Sequence, residues 1–216
     1  EDDVERSRIE LYKYFPLKQT ITLYFKNGSR DVYIEGTVEL IEVDLFSSKQ
    51  VAQISIICPK PYFKAVNDLI TYFSDVSAMF EFPFSIPKTG VEFSAITQNV
   101  RKSIINAGDV SSGVIIDLYA IGKIVNPIIY DVMKRTHIKL IFTMEAGDHI
   151  IINTNHGEKS ITLVRGGIST NIIGYMYPDS SWLTLEAGDN VFTYDCDSGN
   201  SNLQLTFTAP VLYGGV

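Results

Sequence analysis

Two copies of one short acidic pattern resemble a catalytic pair more closely than anything else in this sequence. Met144–Asp148 reads Met-Glu-Ala-Gly-Asp, and Leu185–Asp189 reads Leu-Glu-Ala-Gly-Asp, 41 residues later. Two carboxylates that converge in a cleft can perform general acid and base catalysis, as they do in glycosidases. A Gly-Asp step that leads into an apolar run is, however, typical of a turn before a β-strand. We therefore interpret both segments as turns and predict that the protein is not an enzyme.

The residues that could bind a metal ion are too scattered to form a recognisable site. The imidazole ligands of zinc sites lie at close, face-sharing spacing. The three histidines do not share such spacing: His137, His149 and His156. Asp195 and Asp197 resemble the start of a calcium loop, but Thr206 stands where the bidentate Glu of such a loop belongs. We predict no metal site, and we interpret the Asp195–Thr206 region as a hairpin connection.

The sequence also lacks the patterns that support a nucleophile or a phosphate loop. Cys58 and Cys196 each lie in a strand-like apolar run, which predicts two buried thiols. No Ser occurs in a Gly-x-Ser-x-Gly elbow. Gly166 and Gly167 lie between two predicted strands, whereas a phosphate-binding loop leads from a strand into a helix. We therefore predict no catalytic residue and no cofactor.

Trp182 is the one residue for which a binding role stays open. It is the only tryptophan, and the alternation of the residues that follow it does not decide which way its ring faces. Burial in the core or at a domain interface is the first interpretation. Contact with a protein partner or with a sugar ring remains as the alternative.

Composition excludes two classes of partner. The chain has 216 residues, of which 45% are hydrophobic and 20% are charged, and its net charge is −7. A protein that neutralises phosphates needs a cluster of Lys and Arg, which this sequence does not show, so we predict no nucleic-acid partner. Its apolar runs are far shorter than the roughly 20 residues that span a membrane, so we predict no membrane insertion.

The first quarter of the chain predicts a small β-sheet. Gln19–Phe25 alternates apolar and polar residues, and Asn27-Gly28 is a strong signal for a type I′ hairpin turn. The returning strand changes its apolar phase near Leu40, which predicts a β-bulge. Ala52–Cys58 alternates again before Pro59 ends the sheet.

One helix is predicted after this sheet, because apolar residues recur there at spacings of three and four. The helix covers Tyr62–Asp75 and follows Pro61, and its apolar face is expected to pack against the sheet. The residues of that face are Phe63, Val66, Leu69, Ile70 and Phe73. A proline-rich stretch around Phe84 then predicts the domain boundary, which gives an N-terminal domain over 1–84 and a C-terminal domain over 85–216.

The C-terminal domain is predicted to be entirely β. Short apolar runs separated by Gly, Asn, Asp and Ser indicate a β-sandwich or jelly roll. The predicted strands are Val114–Tyr119, Ile128–Val132, Ile138–Phe142, His149–Asn153, Ile161–Val164, Ile172–Tyr177, Trp182–Leu185, Val191–Cys196 and Leu203–Thr208.

Several stretches in both domains resemble the distal tail proteins of long-tailed bacteriophages, the siphovirus-type tail component family. In the N-terminal domain these are Leu11–Pro16, Arg30–Gly36 and Gln50–Phe63. In the C-terminal domain they are Asn106–Val110, Val125–Pro127, Ala146–Asp148, His156–Ser160, Ser180–Trp182 and Ala187–Asn190. Each stretch is a turn or strand pattern of low specificity, but together they follow the order of the family along nearly the whole chain.

This resemblance implies a structural protein of a phage or prophage tail tip or baseplate. It implies a hexameric ring built largely by the N-terminal domain, with a galectin-like β-sandwich as the C-terminal domain. The implied partners are the tail tube protein, a tail-associated lysin or fibre and a receptor-binding protein. The implied location is the tail tip of the virion, after synthesis in the bacterial host cytoplasm. A carbohydrate-binding β-sandwich module is the alternative function, motivated by Trp182.

The family has further strands before anything that resembles Leu11–Pro16, and the sequence begins at Glu1 without an initiating Met. We therefore expect this chain to be a fragment that is monomeric or associates weakly, and the extended chain to be hexameric.

Overall fold

A computed structural model describes residues 2–44, 51–78, 94–98 and 101–215. The chain divides into two compact units. Unit 1 comprises Glu1–Val66 together with Leu212–Val216, and unit 2 comprises Asn67–Val211. Within the described residues, no helix is both long enough and apolar enough to span a membrane.

The protein is mainly β, with one α-helix in the described part of the chain. The first elements are α1 (Asp2–Tyr14), β1 (Thr20–Asn27), β2 (Arg30–Val43), β3 (Ala52–Ile57), β4 (Phe63–Ala65), β5 (Leu69–Tyr72), β6 (Ser74–Ala78) and β7 (Ser94–Gln98). The next are β8 (Arg101–Asn106), β9 (Ser112–Gly113), β10 (Ile115–Ala120), β11 (Ile124–Asp131), β12 (Thr136–Lys139), β13 (Thr143–Met144), β14 (His149–Asn153), β15 (Ser160–Arg165) and β16 (Ile168–Asn171). The last are a 3-10 helix (Ile173–Tyr175), β17 (Thr184–Leu185), β18 (Gly188–Ser198), a second 3-10 helix (Asn200–Asn202), β19 (Leu203–Ala209) and β20 (Leu212–Tyr213).

Unit 1 begins its sheet with the predicted hairpin, although the turn differs in detail. Strands β1 and β2 pair antiparallel from Thr20↔Thr37 to Asn27↔Arg30. The loop is therefore Gly28 and Ser29, and only Gly28 has a positive φ, of 51°. The turn uses glycine at its first central position, instead of the positive φ at both Asn27 and Gly28 that a type I′ turn requires.

The rest of the unit 1 sheet is built around the long strand β2. Strands β3 and β4 both pair with β2, and β20 adds to β4. The register between β2 and β3 shifts between Val38 and Leu40, which confirms the predicted β-bulge. The sheet thus holds five strands, of which the last comes from the end of the chain.

The helix predicted over Tyr62–Asp75 is wrong. This stretch forms β4, β5 and the start of β6, while the helix of the described chain is α1. In β5 the burial alternates, with Leu69 half-buried and Ile70 exposed, and Phe73 follows as a fully buried residue. Because β-branched and aromatic residues are concentrated here, pairing with β19 prevails over the helical spacing.

Unit 2 is a β-sandwich, as predicted. One sheet has six strands in the order β16-β15-β14-β10-β19-β5. The other has the order β12-β11-β18-β8, with β13 also paired to β11. Strands β10, β14 and β19 of the six-stranded sheet alternate buried and half-buried residues, and β18 of the other sheet does so over Asn190–Tyr194, so each sheet turns one face inward.

The core of unit 2 lies between these two sheets. Phe192 on β18 and Phe207 on β19 come from opposite sheets, and their ring centres are 4.9 Å apart. Phe73 joins them, with its ring centre 5.1 Å from that of Phe207 and 5.9 Å from that of Tyr194. Large aromatic rings thus link the two layers at the centre of the sandwich.

Three predictions for the C-terminal half need correction. Ile172–Tyr177 was expected to be a strand, but it contains a 3-10 helix, and its only β-bridge in the described chain is Leu140↔Met176. The Asp195–Thr206 region is not a hairpin connection, because β18 and β19 belong to different sheets and the chain crosses between them. The cysteines Cys58 and Cys196 are free thiols, but both are half-buried instead of fully buried.

The division of the chain also differs from the predicted one. Phe84, at the expected boundary, lies outside the described residues, and the two compact units separate between Val66 and Asn67. The strands of the two predicted domains share sheets, since β5 pairs with β19 and β20 pairs with β4. The predicted independence of residues 85–216 is therefore wrong.

Candidate interaction surfaces

The first acidic turn, Met144–Asp148, is held by hydrogen bonds to both oxygens of the Asp148 carboxylate. Asp148 is almost completely buried, and its Oδ2 accepts a hydrogen bond of 2.8 Å from the Glu145 amide. The Arg165 guanidinium donates to both carboxylate oxygens, at 2.7 and 2.5 Å. Gly147 supplies the positive φ of the turn, at 88°. Asp148 is thus a structural residue at the start of β14.

The second acidic turn has the same sequence but a different capping residue. The Asn190 side chain accepts a hydrogen bond of 2.8 Å from the Glu186 amide and donates one of 2.8 Å to the Glu186 carbonyl. The Glu186 carboxylate instead accepts a hydrogen bond of 2.6 Å from Lys134 Nζ. Asp189, the counterpart of Asp148, is exposed. Both segments launch strands, which agrees with their interpretation as turns.

The electrostatics of these carboxylates do not favour acid catalysis. The hydrogen bond from Arg165 lowers the pKa of Asp148, and the hydrogen bond from Lys134 lowers the pKa of Glu186. Hydrogen bonds from Asn126 and Lys139 likewise lower the pKa of Asp197. A carboxyl group that acts as a general acid near neutral pH needs a pKa raised by its surroundings.

Potential metal ligands are dispersed over the described residues, which contain no group of three or more His, Cys, Asp or Glu able to hold an ion. His149 lies on the outer face of the six-stranded sheet, where its Nδ1 is 3.2 Å from Asp117 Oδ1. Its ring stacks against Tyr119, with 4.5 Å between the ring centres. Burial raises the pKa of the Cys196 thiol, which opposes thiolate formation.

Trp182 occupies an intermediate position between core and surface. Its ring is half-buried and packs against the core of unit 2. The Lys159 ammonium lies over the same ring, 5.6 Å from its centre. Part of the aromatic face is therefore already in contact with the protein. Contact of Trp182 with a protein partner or with a sugar ring stays a prediction.

Unit 1 exposes large hydrophobic side chains on its helix and on several strands. Among its described residues, only Val32 and Val38 are fully buried hydrophobic side chains. The exposed ones are Ile9, Tyr12, Tyr14, Leu17, Tyr24, Phe25, Leu40, Val51, Ile57, Tyr62 and Val66. We call this set the apolar surface of unit 1. Where exposed apolar side chains of this kind lie together, they mark sites at which proteins associate.

Aromatic residues of unit 1 lie on both faces of its sheet. Tyr24 and Tyr33 face each other across β1 and β2, with 5.8 Å between ring centres, and Tyr24 is 69% exposed. On the opposite face of the sheet, Phe25 contacts Phe63 edge to face at 5.4 Å. In α1, Tyr14 is 75% exposed. Tyrosine is enriched at protein interfaces because its ring packs and its hydroxyl hydrogen-bonds.

One edge of the unit 1 sheet is also available for pairing. Among the described residues, β1 pairs only with β2, so its outer edge is not covered by another strand. An open edge presents backbone donors and acceptors that a second chain can pair with.

At the other edge, β20 is held by Arg30, a residue that sequence reasoning missed. The Arg30 guanidinium lies over the Tyr213 ring, 4.4 Å from its centre, and Nη1 donates a hydrogen bond of 2.6 Å to the Gly215 carbonyl. The sequence signal for this contact was weak, because 185 residues separate Arg30 from Gly215.

Residues 107–210 match the family described as siphovirus-type tail component, C-terminal domain. No curated protein matches the sequence.

Solved structures show how far the fold is shared. The crystal structure of the phage SPP1 Dit (gp 19.1) protein, described as a paradigm of the hub adsorption apparatus in phages that infect Gram-positive bacteria, aligns with a TM-score of 0.65 and 10% identity. That alignment covers 98% of this chain and 72% of the SPP1 chain.

Two structures of the phage P2 baseplate in its activated conformation align less closely. The one with Ca gives a TM-score of 0.45 at 13% identity and covers 100% of this chain and 76% of the other. The one with Sr gives 0.44 at 14% identity and covers 99% and 74%. Strands β9 to β19 of the sandwich lie within the matched region, so this part of the chain is similar to the C-terminal domain of siphovirus-type tail components.

Proposed function

We propose that this chain is a structural hub protein at the tip of a phage or prophage tail. The observation that carries the proposal is the family match over residues 107–210, in a chain whose fold resembles that of the SPP1 Dit protein along 98% of its length. In this role the protein performs no chemistry. It connects the tail tube to a lysin or fibre and to a receptor-binding protein.

Unit 1 is the part that makes the subunit contacts. Its apolar surface and the open edge of β1 supply what a ring contact needs, namely area to bury and backbone groups to pair. A closed ring uses heterologous contacts, in which one surface of each subunit complements a different surface of its neighbour. Six copies form the ring, and unit 2 presents the sandwich to other tail proteins.

Phage particles that carry the gene provide the test of location and copy number. Antibodies raised against the chain, coupled to gold, are expected to label the tail tip distal to the head. Brief chemical cross-linking of the same particles is expected to give a ladder of this protein that ends at six copies. Labelling of the head, or a ladder that ends at two, would contradict the hub.

The absence of catalysis is tested separately. The purified protein is expected to release no soluble products from host cell walls and to retain no stoichiometric metal after dialysis. Cell-wall hydrolysis that disappears in a Glu145→Gln or Glu186→Gln variant would overturn this part of the proposal.

The carbohydrate-binding alternative has less support. Trp182 packs against the core and lies beneath Lys159, so less of its ring is open to a sugar than in an exposed stacking platform. A glycan array probed with the intact chain and with its Trp182→Ala variant decides the matter. Binding that the substitution abolishes would favour the sugar interpretation over a purely structural role.

A further inference from the structure

Unit 2 is inserted between two neighbouring strands of unit 1. The chain leaves unit 1 after β4 and returns to it as β20, and these strands pair antiparallel through Lys64↔Leu212 and Phe63↔Tyr213. Within unit 2, the strands that receive the two connections are also neighbours, since Leu69 on β5 is in register with Ala209 on β19. Two short connections, 66–68 and 210–211, therefore join the units.

The second of these connections depends on how firmly β20 is held. The ladder between β20 and β4 contains only two residue pairs. Arg30 adds the stacking contact on Tyr213, at 4.4 Å, and the hydrogen bond of 2.6 Å to the Gly215 carbonyl. Arg30 can reach this segment because β2, on which it lies, pairs with β4 through Val32↔Ala65.

We infer that Arg30, Tyr213 and Gly215 form a latch that determines whether two connections or one join unit 2 to unit 1. With the latch closed, rotation about the 66–68 connection is opposed by the second connection. With the latch open, 212–215 leaves the sheet and unit 2 is tethered by 66–68 alone, which permits reorientation between units. A planar guanidinium suits this role because it stacks on an aromatic ring and donates hydrogen bonds at once.

The latch is tested on the full chain with Arg30→Ala and Tyr213→Ala. Arg6→Ala, which removes an exposed arginine of α1, is the matched control. Hydrogen–deuterium exchange of residues 212–215 is expected to be at least about tenfold faster in both latch variants and unchanged in the control. Unchanged exchange of the core strands of unit 2, and of β2 and β3 where they pair in unit 1, would establish that each variant is folded. Unchanged exchange at 212–215 would overturn the role of Arg30.

A second measurement tests whether opening the latch also allows the two units to reorient. Residual dipolar couplings, measured separately for the two units, report how widely one unit reorients relative to the other. The range of reorientation is expected to widen in both latch variants and to stay unchanged in Arg6→Ala. Arg30→Lys keeps the charge but loses the planar group, so an intermediate range is expected. Faster exchange at 212–215 with no wider range of reorientation would refute the latch as a device that controls orientation.

Discussion

The two units differ in how they use their hydrophobic residues. Unit 2 places 24 hydrophobic side chains in one buried cluster, whereas among the described residues of unit 1 only Val32 and Val38 reach comparable burial. Among the residues whose side chains the structure describes, unit 1 nevertheless exposes as many large hydrophobic side chains as unit 2, although unit 2 is about twice as long. Small domains bury a smaller fraction of their surface than large ones, and the difference between the units has this direction. Under the proposed function, the core of unit 2 supplies stability and the exposed side chains of unit 1 supply surface for association.

The largest expected effect tests the core of unit 2. Phe207 contacts Phe73 and Phe192 between the two sheets, so Phe207→Ala is expected to lower the free energy of unfolding by about 3 to 5 kcal/mol. Phe25→Ala in unit 1 is the matched control, and because Phe25 is partly exposed we expect about 1 kcal/mol. Urea unfolding followed by Trp182 fluorescence and by circular dichroism measures both. If Phe25→Ala lowered the free energy of unfolding as much as Phe207→Ala or more, the contrast between the packed core of unit 2 and the exposed side chains of unit 1 would be contradicted.

The next effect concerns the buried carboxylate of unit 2. Asp148→Asn removes a charge-assisted pair with Arg165, and we expect a loss of about 2 kcal/mol at neutral pH. Asp189→Asn, at the exposed counterpart in the second turn, is expected to change stability by less than about 0.5 kcal/mol. Urea midpoints at pH 7 provide the measurement. If Asp148→Asn and Asp189→Asn lowered the free energy of unfolding equally, the buried position of Asp148 beside Arg165 would make no difference to stability.

The sign of the pH dependence follows from the lowered pKa of Asp148. Its native pKa lies below the ordinary value of 3.8 because Arg165 hydrogen-bonds the ionised form. The stabilisation is therefore present above the pKa of the unfolded chain and is lost as the pH falls through the lower native pKa. The difference in stability between the native protein and Asp148→Asn is expected to shrink below about pH 4. A difference that grows on acidification would refute this assignment.

The apolar surface of unit 1 predicts an effect on association without an effect on folding. Tyr24→Ala removes an exposed ring and is expected to change the free energy of unfolding by less than about 0.5 kcal/mol. The same change is expected to weaken self-association about tenfold, close to 1.4 kcal/mol. Tyr72→Ala, at a similarly exposed tyrosine of unit 2, is the control and should leave association unchanged. Sedimentation velocity over a range of concentrations measures both.

The smallest expected effect tests the surroundings of Trp182. Lys159→Ala removes the ammonium from the ring and is expected to cost about 0.5 kcal/mol. The fluorescence maximum of Trp182 should move slightly to longer wavelength as water replaces the side chain. Lys13→Ala, at the end of α1, is the control and should not change the fluorescence. A cost above about 2 kcal/mol would mean that Lys159 has a further structural role.

Local patterns in the sequence predicted the parts of the fold that local chemistry determines. The hairpin at Gly28, the bulge between Val38 and Leu40 and the strand His149–Asn153 all follow from turn residues and alternation. The sandwich followed from the density of such strands. The proposed function came from the family resemblance, because no motif in the sequence indicates one.

Long-range pairing explains what the sequence did not reveal. The segment around Leu69 has helical spacing, but its pairing with Ala209 on β19 makes it a strand. The helix α1 was missed because its residues are mostly charged and expose much of their apolar surface. The contact of Arg30 with Tyr213 and Gly215 could not be predicted, since nothing local in either segment indicates the other.

The insertion of unit 2 within unit 1 has a consequence for synthesis on the ribosome. Every strand of unit 2 has been translated by Ala209, whereas the sheet of unit 1 still lacks β20 at that moment. The N-terminal unit, made first, must therefore be completed last, which reverses the usual order of co-translational folding. A chain released before Leu212 would carry a finished sandwich and an unfinished unit 1. Such a chain would present β4 without its neighbouring strand β20.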